Sequence, residues 1–233
     1  MNLKLSVVIP VFNEQRTLAP LLAKVMAARP GLEMELVIVD DGSTDGTRET
    51  IRKLAESHPE WTVLYHEKNR GKGAALRTGF ARATGDVILI QDADLEYDPL
   101  DYPALLKPIL DGHADVVYGS RFVGGGPHRV LFFWHAVGNR LLTTLSNLLN
   151  DLTLSDMEVC YKVFRKEVLS SFRLVENRFG FEAEVTAKVA RSKRWRIYEV
   201  PISYYGRGYD EGKKITWRDG VRAFWCSIQY RFF

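Results

Sequence analysis

The stretch that decides the fold is residues 86–99, DVILIQDADLEYDP. Its apolar run VILI indicates a buried central strand. Directly after the run come three carboxylates at alternating positions, Asp92, Asp94 and Glu96. Clustered carboxylates repel one another and are seldom buried without partners, so we expect a hard divalent cation, Mg²⁺ or Mn²⁺, shared with a substrate phosphate. A solvated acidic turn before a helix that starts at Asp98-Pro99 is the alternative.

Composition limits the class of protein. A chain of 233 residues, 46% hydrophobic and 26% charged, fits one α/β domain with an ample core. The net charge of +3 is too small for a general polyanion binder. The two cysteines, Cys160 and Cys226, lack metal-site spacing and suit a reducing compartment. The N-terminus already resembles a strand, and no apolar run reaches about 18 residues, so we expect neither a signal peptide nor a membrane-spanning helix.

Strand-like and helix-like segments alternate along the chain. The expected strands are residues 5–10, 35–39, 62–66, 87–90, 115–120 and 200–205. This alternation predicts right-handed βαβ crossovers and a mostly parallel sheet, whose strands end at a common rim. A dinucleotide-binding GxGxxG loop is absent from the first turn, where Pro10 and Glu14 stand instead.

Polar motifs follow the second and third strands. Asp40 and Asp41 could accept hydrogen bonds from a ribose or a base, whereas Ser43 or Asp45 is explained as a helix cap. The sequence Gly-Lys-Gly at residues 71–73 could hold an anion through backbone amides and the charge of Lys72. Glycine turns before helices are common, so the value of this motif lies in its position. All these motifs fall on one predicted rim, which indicates a single site.

Four ordered motifs resemble those of family 2 glycosyltransferases with the A-type, nucleotide-sugar-binding fold. They are PxFNE at 10–14, VDDGSTDGT at 39–47, NRGKGAALRTG at 69–79 and DADLE at 92–96. Nucleotidyltransferases share the fold, but their glycine- and arginine-rich first loop is missing here. The resemblance covers nearly the full length and implies an α/β, glycosyltransferase A-type (Rossmann-like) fold, with a mostly parallel central sheet flanked by helices.

The resemblance also implies roles for individual residues. The base and ribose of a nucleoside diphosphate sugar would be surrounded by Pro10, Glu14, Val39 and Asp41. Asp92 and Asp94 would hold the metal ion on the diphosphate, and Glu96 matches a third metal-side position. Lys72 would lie with Asp92 among the groups that bind the nucleotide sugar.

The second half of the chain indicates the acceptor. Residues 130–150 predict a strongly apolar helix interrupted by Arg140, which is either surface-seeking or docked on the core. Together with Arg121 after the preceding strand, Arg140 could grip a phosphate bidentately. Residues 155–165 resemble the SDxxxxxK/R-x-x-R segment of dolichyl-phosphate mannose and glucose synthases. The sequence FGFE at 179–182 resembles the glucose-synthase branch.

The C-terminal part carries a basic loop and an amphipathic segment. The loop at 206–214 could close over a diphosphate or be an ordinary solvated loop; the resemblance favours closure, because relatives place a phosphate-binding Arg and Lys where Arg207 and Lys213 stand. We expect a domain of residues 1–212 followed by a basic segment, 213–233. This segment would lie on an anionic membrane surface or pack as a helix. Its apolar stripe is Trp217, Val221, Phe224, Trp225, Ile228 and Phe232.

The expected activity is a metal-dependent, inverting transfer of a hexose from UDP-glucose or GDP-mannose to a polyprenyl or dolichyl monophosphate. The expected location is cytoplasmic, peripheral on the cytoplasmic face of a membrane. Asp94, Asp156, Arg121 and Arg140 are the expected catalytic residues, with both arginines on the acceptor phosphate. A phosphate monoester is already an anionic nucleophile, so Asp156 is expected to position the sugar or acceptor without taking a proton.

Two alternatives stay open. One is a family 2 enzyme acting on a saccharide or protein hydroxyl, with Asp156 or Glu158 as the base. The other is a nucleotide-sugar-binding scaffold without catalysis, against which the intact carboxylates argue. Nucleic acid is not an expected partner, because the basic C-terminal segment lacks any recognised binding module.

Overall fold

The computed structural model describes residues 3–28, 30–124, 129–130, 133–208 and 217–232. Its strands are β1 Lys4–Val11, β2 Glu33–Asp40, β3 Thr62–Tyr65, β4 Val87–Ile90, β5 Val116–Ser120, β6 Lys162–Arg165 and β7 Ile197–Pro201. Its α-helices are α1 Leu18–Ala27, α2 Thr47–Glu56, α3 Lys72–Phe80, α4 Tyr102–Leu110, α5 Phe133–Asn150, α6 Lys166–Ser170, α7 Phe181–Arg191 and α8 Trp217–Phe232. A 3₁₀ turn, Pro99–Asp101, precedes α4.

The described strands form one seven-stranded sheet in the order β3-β2-β1-β4-β6-β5-β7. All pairings are parallel except those of β6, which runs antiparallel to both β4 and β5. The predicted mostly parallel α/β sheet is therefore confirmed. Every residue of β4 is buried, since this strand lies between β1 and β6 and is covered on both faces.

Two strands differ from the sequence-based prediction. β6 was not predicted, because a four-residue segment with a charge at each end lacks an apolar run. The structure accommodates its Lys162 by placing the ammonium 5.0 Å from the ring centre of Tyr118. The late strand was predicted at 200–205, but β7 ends at Pro201 and the following residues form only an isolated antiparallel bridge between Tyr97 and Tyr204.

Small residues bring α3 close to the sheet. A Cβ atom on Gly79 would overlap Cγ1 of Val8, so only glycine lets the helix approach β1 at this point. The N-terminus of α3 at Lys72 therefore lies at the carboxyl-end rim of the parallel strands. The predicted Gly-Lys-Gly motif thus forms the N-cap and the first residues of α3.

The C-terminal helix α8 packs against α5 and α7. Its buried face carries Ala223, Cys226 and Tyr230. Val221, Phe224, Trp225 and Phe232 of the predicted apolar stripe are exposed, because the small side chains of Ala223 and Cys226 on the other face allow close approach of the helix axes. The segment thus packs as a helix through one face, and a membrane surface as the partner of the other face stays a prediction. None of the described helices has the length and apolarity needed to span a bilayer.

Candidate active site

The carboxyl ends of the parallel strands open into a cleft of about 1350 Å³. Most of the predicted site residues lie in its wall: Pro10, Glu14, Asp41, Lys72, Asp92, Asp94, Glu96, Arg121 and Arg207. Val39, predicted beside the base, is fully buried in β2 and is not part of the wall. Lys213 lies outside the described residues.

Asp41 orders the loop that leads into α3. Its two carboxylate oxygens accept hydrogen bonds from the backbone amides of Arg70 (2.9 Å) and Gly71 (2.7 Å). The imidazole of His66 also lies 2.6 Å from Oδ1, and its other nitrogen is 3.0 Å from the hydroxyl of Thr78. Asp41 therefore stands in the cleft wall, where it was predicted, but in this structure its oxygens hold the Gly-Lys-Gly loop in place.

Lys72 links two acidic groups across the cleft. Its ammonium lies 3.1 Å from a carboxylate oxygen of Asp92 and 3.1 Å from Oε1 of Glu182. An ammonium at the start of α3 adds to the positive end of the helix dipole, so this corner of the cleft suits a phosphate group.

Arg207 gathers the remaining carboxylates. Its guanidinium lies 3.1 Å from Oδ2 of Asp94 and 3.2 Å from Oε1 of Glu14. Its backbone amide donates to Oε1 of Glu96, whose second oxygen accepts from the hydroxyl of Tyr204. In this conformation, Glu96 thus anchors the segment that carries Arg207.

The carboxylates of the cleft fit a divalent cation. Burial, together with the charges of Asp92 and Glu96, raises the pKa of Asp94 to about 7. Within the part of the chain that the structure describes, no three His, Cys, Asp or Glu side chains converge on one point. Mg²⁺ is commonly held by one or two carboxylates plus substrate phosphates, so Asp92 and Asp94 suffice as protein ligands. The role of Glu96 as a third metal-side residue stays a prediction.

Arg121 and Asp156 form a bidentate ion pair. Nε of Arg121 lies 2.6 Å from Oδ2 of Asp156, and Nη2 lies 2.7 Å from Oδ1. Asn139 on α5 contacts both side chains, at 3.2 Å and 3.3 Å. Because Asp156 is fully buried and both its oxygens are engaged, it orients Arg121 and does not itself face the cleft.

Arg140 is separated from Arg121 in this structure. It is exposed on α5 and does not belong to the residues that line the cleft. Residues 139 and 140 project about 100° apart around a helix, and it is Asn139 that reaches Arg121. The predicted pair of acceptor-phosphate arginines is therefore not assembled here, and the role of Arg140 stays a prediction.

The cleft continues into an apolar groove between α5 and α8. Aromatic and aliphatic side chains line this part: Trp134, Leu141, Leu142, Leu145, Leu148, Val221 and Phe224. Trp134, Leu141 and Leu148 are at least 66% exposed, which is unusual for large apolar residues that lie close together. Arg121 lies in the wall of the same cleft, so charged and apolar surfaces are continuous.

Sequence reasoning missed several residues of the site. Asn139 and Tyr204 were not among the predicted site residues, yet they contact Arg121 and Glu96. The sequence did offer a signal for Asn139, because it is a polar residue next to Arg140 within an otherwise apolar helix. No pattern in the sequence indicated that the hydroxyl of Tyr204 would reach Glu96.

The comparisons with known proteins agree with this geometry. Residues 6–173 match glycosyl transferase family 2, and this match covers more than half of the chain. The chain therefore belongs to glycosyl transferase family 2. A crystal structure of glucosyl-3-phosphoglycerate synthase from Mycobacterium tuberculosis, in complex with Mn²⁺, UDP and phosphoglyceric acid, has a TM-score of 0.76 at 23% identity. The superposition covers 98% of this chain and 78% of the synthase chain. This similarity shows that the fold is the predicted glycosyltransferase A-type.

Two curated relatives are more similar in sequence. A dolichol-phosphate mannosyltransferase of Pyrococcus furiosus is 32% identical over 91% of this chain. A polyprenol monophosphomannose synthase of Mycolicibacterium smegmatis is 31% identical over 86% of this chain and 77% of its own length. The chain spans 59% of the length of the Pyrococcus protein.

Proposed function

We propose that this protein transfers a hexose from a nucleoside diphosphate sugar to a polyprenyl monophosphate, with inversion and with a divalent cation. The donor would be UDP-glucose or GDP-mannose. The names of the two curated relatives, both polyprenol- or dolichol-phosphate enzymes, support this acceptor. A UDP complex of a protein with the same fold supports a nucleotide-linked donor.

The single observation that carries the proposal is the continuity of the cleft. Its polar part joins the acidic groups and Lys72, which suit a metal-bound diphosphate, to Arg121. Its apolar part between α5 and α8 carries large side chains that are mostly exposed, among them Trp134, Leu141 and Leu148. A polyprenyl phosphate has a charged head and a long apolar tail, so it matches both parts at once.

The chain's own residues would position the donor and the leaving group. Lys72 would contact the diphosphate, and Arg207 would contact it from the opposite wall. When bound by Asp92 and Asp94, a divalent cation supplies Lewis-acid stabilisation of the leaving diphosphate. Arg207 is placed to exchange its present partners, Asp94 and Glu14, for phosphate oxygens. Its segment would then cover the donor and exclude water.

The acceptor side needs no base. Arg121, fixed by Asp156 and Asn139, would orient the acceptor phosphate toward the anomeric carbon. A phosphate monoester has its second pKa near 6 and is an anion at neutral pH, so no proton must be removed from it. The burial of Asp156 and its pairing with Arg121 support this base-free reaction over a hydroxyl acceptor with Asp156 as the base.

The exposed apolar residues of α5 and α8 also support a peripheral position at a membrane. Trp134, Val221, Phe224 and Trp225 lie next to the mouth of the apolar groove or on the same two helices. A lipid-linked acceptor is held in a bilayer, so an apolar surface here would bring the groove to the lipid. The cytoplasmic face of a membrane is the proposed location.

The test is a transfer assay with purified protein, Mn²⁺ or Mg²⁺ and a short-chain polyprenyl phosphate. Labelled UDP-glucose, UDP-N-acetylglucosamine and GDP-mannose are offered in turn, and label in the organic phase is counted. We expect label from one donor, loss of activity with EDTA and recovery with Mn²⁺. Asp94→Asn should reduce the rate about 100-fold or more, because it removes a metal ligand.

Asp111→Asn is the matched control, because Asp111 is exposed and its carboxylate forms an i,i+4 ion pair with Lys107 at 2.7 Å, outside the cleft. Its rate should equal that of the unmodified protein. Donor hydrolysis without labelled lipid would contradict the lipid acceptor and favour a hydroxyl acceptor. No binding of any donor would contradict the enzymatic proposal as a whole and favour the scaffold.

A further inference from the structure

Two carboxyl groups in the cleft have no part in the proposed transfer. Glu182, in the first turn of α7, is only 4% exposed, and Glu158 precedes β6; both line the cleft. Glu182 Oε2 and Glu158 Oε1 are buried without a hydrogen-bond partner among the residues that the structure describes. Leaving such oxygens unpaired is costly, so these two atoms indicate a ligand that donates hydrogen bonds.

The position of this pair indicates which part of a ligand it meets. Lys72 bridges Glu182 and Asp92, at 3.1 Å to each. The ammonium of Lys72 therefore lies between Glu182 and Asp92, which is a proposed metal ligand beside the proposed phosphate site. In a nucleoside diphosphate sugar, the group attached to the outer phosphate is the sugar ring. The unpaired oxygens thus lie where sugar hydroxyls would come.

The charges around the pair suit hydroxyl groups. Behind the cleft, the ammonium of Lys162 is fully buried, donates to the carbonyl of Val159 and does not line the cleft. Burial, with the charge of Glu182, raises the pKa of Glu158 to about 8. At neutral pH, the carboxyl of Glu158 then retains its proton. A sugar hydroxyl both donates and accepts, so it can pair with either group.

We propose that Glu158 and Glu182 form a sugar-hydroxyl subsite that selects a neutral hexose and rejects a hexuronate. This inference rests on the proposed function, since it assumes a nucleotide-linked sugar in the cleft. A uronate would bring a second carboxylate beside Glu182. Lys72, whose ammonium lies 3.1 Å from Asp92 and from Glu182 and is assigned to the diphosphate in the proposed function, is not available to compensate this second carboxylate.

The experiment compares ligands with and without the sugar. Isothermal titration with Mn²⁺ present measures the affinities of UDP, UDP-glucose, GDP and GDP-mannose for the unmodified protein, Glu182→Gln and Glu158→Gln. For Glu182→Gln, we expect about tenfold or greater loss of affinity for the sugar nucleotide and less than about threefold change for the free nucleotide. The matching uronate, UDP-glucuronate or GDP-mannuronate, should bind the unmodified protein about tenfold more weakly than the neutral sugar nucleotide. In Glu182→Gln, the difference between these two affinities should be smaller.

Glu167→Gln, the same change at an exposed position on α6, is the control and should alter none of these affinities. Thermal unfolding of each variant checks that it is folded, and Glu158→Gln provides a second variant if Glu182→Gln is not. Equal losses for the free and the sugar-linked nucleotide, or no loss for either, would overturn the subsite. If the unmodified protein binds neither UDP nor GDP, the proposed function itself fails, and this inference fails with it.

Discussion

Arg207 joins three acidic residues that are far apart in the sequence, Glu14, Asp94 and Glu96. A guanidinium in this position neutralises part of the charge that a divalent cation would otherwise neutralise. On the proposed function, a metal ion and Arg207 would compete for Asp94 until a diphosphate arrives, which can bind both. Arg207 would then oppose metal binding before the donor is present and support transfer afterwards.

For Arg207→Gln, we expect Mn²⁺ to bind the donor-free protein several-fold more tightly, while transfer slows about 100-fold because the leaving group loses a cation. Electron paramagnetic resonance of free Mn²⁺ measures the first effect, and the organic-phase assay measures the second. Arg52→Gln, on the exposed side of α2, should leave both unchanged. Weaker Mn²⁺ binding by Arg207→Gln would show instead that the arginine is needed to order the carboxylates.

Glu158 makes the stability of the protein depend on pH. Its pKa is raised from 4.5 to about 8 by burial and by Glu182, so the folded state holds a proton that the unfolded state has lost. Because the folded state binds more protons, this residue's contribution to the free energy of unfolding falls as pH rises from about 4.5 to about 8. Each unit of pKa difference corresponds to about 1.4 kcal/mol.

Glu158→Gln removes this ionisation, so the variant should gain stability relative to the unmodified protein as pH rises through that window. Urea denaturation at pH 5, 7 and 9 measures the difference, which should increase by about 1 kcal/mol or more. Glu167→Gln, at an exposed position, provides the baseline. A difference that stays constant across the three pH values would mean that Glu158 ionises normally.

Single residues of the site were predictable to different degrees. Asp92, Asp94 and Lys72 lie together in the cleft wall, because strand ends and helix starts of a parallel sheet share one rim; their roles in binding stay predictions. The pairing of Arg121 with Asp156 was not predictable. It depends on how the residues between β5 and β6 return to the sheet, and local sequence does not determine that path.

Among the structural elements, the loop before α7 connects the start of α3 to α8. The carbonyl of Asn177 accepts from the amide of Ala74, at 3.1 Å, at the start of α3. The side chain of Glu176 accepts hydrogen bonds from Arg222 and Tyr230 of α8. The Gly-Lys-Gly turn and the C-terminal helix are thus held by two consecutive residues.

Gly73→Ala tests how tightly this loop is packed. A Cβ atom at Gly73 would overlap the carbonyl oxygen of Glu176, so we expect a loss of about 1–3 kcal/mol in the free energy of unfolding. Gly138→Ala in α5 is the matched control: its Cβ meets no atom of the described residues within 4 Å, and alanine favours helix. The control should gain about 0.5–1 kcal/mol. Urea denaturation measures both, and equal effects of the two changes would refute the packing argument.

Elements with long apolar runs were predicted well, and those without them were not. β4 was predicted with its observed bounds, because VILI is apolar throughout. β6 was missed because it is short and charged at both ends, and it is stabilised by pairing with β4 and β5 on either side. The conformation of such a strand depends on pairing with its neighbours, so its own sequence does not predict a strand.

For the whole molecule, the exposed faces of α5 and α8 predict association with lipid. Trp225 is 56% exposed on α8 and does not line the cleft, so it tests surface binding apart from the donor site. Trp225→Glu should weaken binding to vesicles of phosphatidylcholine and phosphatidylglycerol about tenfold, because a large aromatic group no longer enters the interface. Vesicle flotation measures the effect.

Met26→Glu is the control, since Met26 is a 40% exposed apolar residue on α1, outside both helices. It should bind vesicles as the unmodified protein does. Equal losses for the two variants would point to a general effect of added negative charge, and unchanged binding of Trp225→Glu would contradict the proposed membrane face.

At this scale, the fold class followed from the alternation of strands and helices and from four motifs in order. The face by which α8 docks did not follow from the sequence. Ala223, Cys226 and Tyr230 form the buried face, and Val221, Phe224, Trp225 and Phe232 of the predicted apolar stripe lie on the opposite, exposed face. A hydrophobic pattern identifies the apolar side of a helix, whereas close packing also depends on side-chain size.

The reversed direction of β6 has a consequence for how such a protein can change over time. The chain leaves β5 at Ser120 and enters β6 at Lys162, and both points are at the rim that carries the cleft. The chain segment between Ser120 and Lys162, which includes α5, therefore leaves the sheet and returns to it at the same rim. On the proposed function, this segment carries the acceptor groove, so substitutions on the exposed face of α5 would change acceptor preference while the pairing of β1 with β2 and β4 is kept.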